Sequence, residues 1–142
     1  LRGTLPHIES LVINKTEEEL TNKIEGAWSV KEHIGHLYDL EELWYDRFED
    51  FLTGKEILRA ADLSNTKTHE ADHNKKTIHD LQQQFSSARN KLIDKVKDID
   101  EATASITSLH PRLKTPMRLI DSLFFVAEHD DHHVAKIREL LL

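Results

Sequence analysis

The sequence predicts an all-α protein, a four-helix bundle, and three observations predict it. Four segments place apolar residues at steps of three and four, the spacing of one helix face. The chain has 4 Gly and 3 Pro in 142 residues, too little punctuation for the many tight turns of an all-β fold. Ser29 and Glu32 match a capping box directly before the clearest periodic run. The length fits one domain, 1–142, and four amphipathic helices in one small domain pack as a bundle.

The first helix is short. Thr4 is its expected cap, Pro6 falls in its first turn, and Leu5, Ile8, Leu11 and Val12 form its stripe. Thr16 then caps a polar turn over Glu17–Leu20, and Gly26 breaks the chain before Trp28. The second helix follows Ser29 and carries Val30, Ile34, Leu37, Leu40, Trp44, Phe48, Phe51 and Leu52, ending near Thr53-Gly54. Residues 55–76 read as a long polar connection with a helical turn around Ile57–Leu63. The third helix is carried by Ile78, Leu81, Phe85, Ala88, Leu92 and Val96, and a polar linker covers about 98–114. Thr115 and Pro116 are expected as N-cap and first residue of the fourth helix, carried by Leu119, Ile120, Leu123, Val126, Ala127, Val134, Ile137 and Leu141. Two long connections fit an up-down-up-down bundle or one with crossovers, and periodicity does not choose between them.

Composition narrows the function classes. Lys plus Arg is 19 against 26 Asp plus Glu, a formal charge of −7, which argues against a phosphate-gripping nucleic-acid binder. With no cysteine there is no disulfide framework, thiolate metal site or cysteine nucleophile. No apolar run reaches a membrane span and no signal peptide opens the chain. A cytoplasmic location is the default expectation. The outlier is histidine, with ten residues.

Two histidine pairs stand four apart, where chance gives on the order of one. His69-Glu70-Ala71-Asp72-His73 is formally the H-E-x-x-H pattern of zinc proteases. It lies in a polar stretch beside Lys67, Asn74, Lys75 and Lys76, off the apolar face of the third helix, and reads as a solvated surface. His129 and His133 sit one turn apart at the flank of the fourth helix, where two imidazoles can converge on one ion. The plain alternative is a polar helix flank with chance histidines. His132 points to the opposite side. Asp130 falls within the apolar stripe, and a buried carboxylate needs a partner, for which a ligand imidazole N–H is one candidate. His33 and His36 lie on the apolar side of the second helix, and one of them with the fourth-helix pair makes a three-histidine site inside the bundle.

Trp28-Ser29-Val30-Lys31-Glu32-His33-Ile34-Gly35-His36-Leu37 resembles the W-S-x-x-E-x-x-x-H-L signature of the DinB/YfiT-like family. Glu128-His129-Asp130-Asp131-His132-His133 resembles that family's C-terminal H-x-x-H-H helix, in the same order and nearly a hundred residues later. The resemblance implies a DinB/YfiT-like four-helix bundle, usually dimeric, with a divalent metal on three histidines, here His36, His129 and His133. His33 is then a neighbour and not a ligand. The N-terminal helix looks shorter than the family's, which fits a truncated start.

Three neutral imidazoles suit zinc or nickel and leave positions open for water or substrate. Such an ion activates bound water or a thiol. Family members that the chain resembles include S-transferases that use low-molecular-weight thiols. The expectation is therefore a metal-dependent thiol S-transferase acting on a small molecule, with Asp130 and Glu41 as supporting groups or base. Alternatives are a metal-dependent hydrolase, a non-catalytic metal- or ligand-binding dimeric bundle, and an ion that only pins the second helix to the fourth.

Overall fold

The computed structural model describes all of residues 1–142. Helix α1 is Thr4–Val12 and α2 is Glu17–Thr21, the latter held by a complete Thr16/Glu19 capping box. Thr4 does not cap α1. It is the first helical residue after Gly3, is buried, and donates its hydroxyl to Asp130 Oδ2 at 2.7 Å. A tertiary acceptor has taken the group that would otherwise serve the local helix end.

The Ser29/Glu32 box forms as expected and starts α3, Val30–Asp39. The long second helix of the sequence reading is broken once, at Leu40 (φ −87°, ψ −9°), and resumes as α4, Glu41–Leu52. Backbone bonds bridge the break, from Leu40 N to His36 O and from Trp44 N to Leu40 O. The apolar stripe therefore runs on from α3 into α4. The chain turns at Gly54, whose φ of +72° suits a residue without Cβ.

The connection that follows holds α5, Thr66–Glu70, and a 3-10 turn, His73–Lys75. No helix forms over 57–63. Ile57 instead makes a parallel bridge to Leu109, and Leu58 is buried against Phe48, Phe51 and Leu119. Helix α6, Ile78–Val96, is capped by Thr77, and α7 is Glu101–Ala104. Strands β1, Thr107–Leu109, and β2, Pro116–Arg118, pair antiparallel with Leu109 opposite Pro116. Pro116 therefore belongs to a strand, and α8, Leu119–Leu140, starts three residues later than Pro116 with an Arg118/Asp121 box. The pairing with β1, continued by Leu119 N to Ile106 O, has overridden the local Thr-Pro signal.

Four helical rods make the bundle: α1, α3–α4, α6 and α8. The rod α3–α4 packs on both α6 and α8, and so does α1. Successive rods α1 and α3–α4 thus face each other across a diagonal, as do α6 and α8. That settles the connectivity as a bundle with crossovers. One end of the core joins all four rods through Ile8, Val12, Ile34, Leu37, Leu81, Phe85, Val134 and Ile137. No helix is long and apolar enough to cross a membrane.

Candidate metal centre

Packing of α3 against α8 brings His36 to His129 and His133, and one ring nitrogen from each lies within 4.8 Å of the others. The two residues on α8 are one turn apart, so their rings share a face, with centroids 4.6 Å apart. Those of His36 lie 5.4 Å from His129 and 4.8 Å from His133. Trp28, just before the Ser29 cap, covers the cluster with its indole 4.6 Å from the His36 ring.

Each imidazole is held differently. Thr68 on α5 donates its hydroxyl to Asp39 Oδ2 at 2.9 Å, so its oxygen accepts from His36 Nδ1 at 3.0 Å. That fixes the His36 tautomer and leaves the Nε2 lone pair free. Asp39 also bonds Nε2 of His73 at 2.7 Å. Burial pushes the Asp39 carboxyl up, but the bonds from His73 and Thr68 outweigh it and keep the group ionised below its ordinary range. His133 meets His33 Nδ1 to Nδ1 at 2.8 Å. Nδ1 of His129 is buried without any hydrogen-bond partner.

Burial lowers the pKa of all four rings: His33 and His36 to about 4, His133 to about 2, and His129 in the same direction. Near neutral pH the rings carry lone pairs and no charge, the state a cation requires. The orphaned His129 nitrogen is a polar atom that such a cation would satisfy. The donor set fits a divalent ion.

The carboxylates expected nearby are elsewhere. Glu41 and Asp130 are both buried on Arg89 of α6, which donates Nη2 to Glu41 at 2.6 Å and Nη1 to Asp130 at 2.5 Å. Asp130 also accepts from Thr4, so its partners are a guanidinium and a hydroxyl, not a ligand imidazole. The two acids tie α4 and α8 to α6, and neither lines the cavity beside the imidazoles.

The His69–His73 segment is split. Helix α5 ends at Glu70 and Asp72 is left-handed (φ 51°), so the two histidines share no helical face. His69 is exposed, as expected, but His73 is buried and not solvated. Its ring packs so close to Gly35 that a Cβ there would lie 2.2 Å from His73 Cγ. The charged neighbours Lys67, Glu70, Asp72, Lys75 and Lys76 hid this, because the buried partner, Asp39, lies 34 residues away. His132 is exposed, yet its ring lies 5.2 Å from that of His133 and faces the same cavity.

That cavity, about 520 Å³, opens beside the cluster and is lined by His36, His129, His132, His133, Trp28 and Trp44 among others. Sequence reasoning found neither the cavity nor the Thr68–Asp39–His73 chain behind His36, since both are built from the loop at 55–76.

The family model of the DinB superfamily matches residues 2–137. The chain belongs to the DinB superfamily. This DinB chain is also similar to a solved structure, YfiT from Bacillus subtilis, with a TM-score of 0.84 at 21% identity over 96% of this chain and 79% of that one. That protein is described as a probable metal-dependent hydrolase with an unusual four-helix bundle topology. At this identity the likeness establishes the shared fold. No curated protein matches the chain in sequence.

Proposed function

We infer that this DinB chain is a metal-dependent transferase that joins a low-molecular-weight thiol to a small electrophile. The observation that carries the reading is the meeting of three uncharged imidazoles, His36, His129 and His133, at the wall of a solvent-open cavity. A divalent cation, zinc or nickel by preference for nitrogen donors, would supply Lewis acidity and lower the pKa of a coordinated thiol or water. The protein's own work is orientation and exclusion. Thr68 and Asp39 hold His36 in one tautomer, and His133 meets His33 through Nδ1, which makes Nε2 the nitrogen it would offer a cation. Trp28 shields the rings from water. His132, exposed at the cavity, is within reach of a bound molecule. The absence of a fourth protein ligand in the cluster favours a reactive site over a closed structural one. A homodimer using the exposed Ile120 and Phe124 of α8 belongs to the same proposal, with sedimentation at twice the monomer mass as its check.

A second reading is hydrolysis, supported by the description of YfiT. One assay separates the two. Zinc- or nickel-loaded protein is given 1-chloro-2,4-dinitrobenzene with glutathione, cysteine or bacillithiol, and in parallel 4-nitrophenyl acetate without thiol. The transferase reading expects conjugation that falls at least 100-fold in H129A. Ester cleavage with the same metal dependence and no conjugation would replace it with the hydrolase. Conjugation undiminished in H129A or after metal removal would overturn both.

A further inference from the structure

Beyond the imidazoles the cavity wall is largely apolar, with Leu40, Ala60, Leu63 and Phe125, and it holds one buried cation. Arg47 of α4 is 5% exposed, and of its guanidinium only Nε is engaged, donating to Arg59 O at 3.0 Å. Its two Nη groups make no bond within the protein. Asp50 is the acid whose field reaches it, but the Asp50 carboxylate is taken by Arg59 and Lys55. Asp62, the one acid in the cavity wall, accepts from the backbone N–H groups of Ser64 and Thr66. The other ionisable groups at this end, His110 and Arg112, add no negative charge. A buried guanidinium without a counter-ion is costly, and a ligand anion would relieve that cost.

Trp44 supplies an independent observation. Its Nε1 is buried with no hydrogen-bond partner. The Arg47 guanidinium carbon lies 5.5 Å from the Trp44 ring centroid, and the His129 ring lies 5.6 Å from the same indole. Arg47 and His129 thus both lie against one indole, and all three residues line the same cavity, so a small molecule there reaches the unpaired guanidinium and the imidazoles together.

We propose that Arg47 seats the carboxylate of the small molecule that occupies the cavity, with the Trp44 N–H as a further donor and the reacting end of that molecule at His36, His129 and His133. This rests on the metal reading and deepens it by naming the substrate class, a carboxylic acid with an apolar body. The planar guanidinium fork matches the two oxygens of a carboxylate. A phosphate carries a further oxygen and a further charge that this one buried guanidinium does not match.

The test uses the intact chain without added metal, titrated calorimetrically with 4-phenylbutyrate, 4-phenylbutyramide and inorganic phosphate. Wild type should bind the acid at least tenfold more tightly than the amide, and phosphate more weakly than the acid. In R47Q the preference should shrink to less than twofold, and R47K should keep part of it. A merely structural role for Arg47 would lower the melting temperature without moving the acid-to-amide ratio. Should R47Q fail to fold, R47K and W44F carry the test, and an unchanged ratio in both overturns the proposal. Equal binding of acid and amide by wild type overturns it too, and tighter binding of phosphate reassigns Arg47 to phosphate esters. Failure of the metal reading is told apart by zinc uptake. A chain that prefers the acid but takes up no zinc refutes the metal site alone, and one that takes up zinc without preferring the acid refutes the anchor alone.

Discussion

His36 is oriented by groups that never reach the cavity, and on the proposed metal reading its hold on an ion depends on them. Asp39 accepts from Thr68, Thr68 accepts from His36, and His73 bonds the same carboxylate oxygen. Removing such an outer partner typically costs 10–100-fold in metal affinity. T68V should therefore weaken zinc binding about tenfold in competition with a chelating dye, with the three ligands intact. Affinity unchanged in T68V would mean that the hydroxyl does not set the tautomer. The three residues that meet were legible from the motif blocks, because spacing puts His129 and His133 on one turn and the Trp28–Leu37 block carries His36. Thr68 and His73 were not, since nothing local to residues 66–75 reveals a carboxylate 34 positions earlier.

At the scale of elements, the rods are joined by a buried ion cluster as well as by apolar packing. Arg89 of α6 binds Glu41 of α4 and Asp130 of α8, and Thr4 of α1 closes the group. Burial pushes the Glu41 carboxyl up, against the pull of Arg89, and the bonds to both acids hold Arg89 above its ordinary value despite burial. Breaking a buried pair from one side leaves an uncompensated charge and costs roughly 3–5 kcal/mol, whereas replacing the whole set by apolar groups costs far less. Chemical denaturation should show R89M destabilised by about that amount, and R89M/E41L/D130L less destabilised than R89M. The reverse order would mean that the acids have other partners. Periodicity located α3–α4, α6 and α8 because their apolar stripes are long. It missed the break at Leu40, the β1–β2 pair and the late start of α8, because those are decided by pairing between distant segments.

For the whole molecule, the buried histidines couple folding to protons. Burial sets His33 and His36 at about 4 in the folded chain, below the value of about 6.5 for an exposed ring. The unfolded chain then binds more protons between those values, so stability is full above about 6.5 and falls as pH drops toward 4. The loss is on the order of 1–2 kcal/mol per histidine by pH 5. Thermal melts of the metal-free chain should show the midpoint falling between pH 7 and 5, and H33F should flatten that slope. A flat profile would show that the rings are solvated. Metal occupancy of the folded chain should hold through this range and fall only as pH approaches about 4, where protons begin to compete for the His36 nitrogen.

The most direct test of the central claim is the metal content of untagged protein by elemental analysis, after zinc loading and removal of excess. One zinc per chain is expected for wild type, H132A and H69A, and less than a tenth of that for H36A, H129A and H133A. Full occupancy in the last three, or an empty wild type, would contradict a single ion held between α3 and α8.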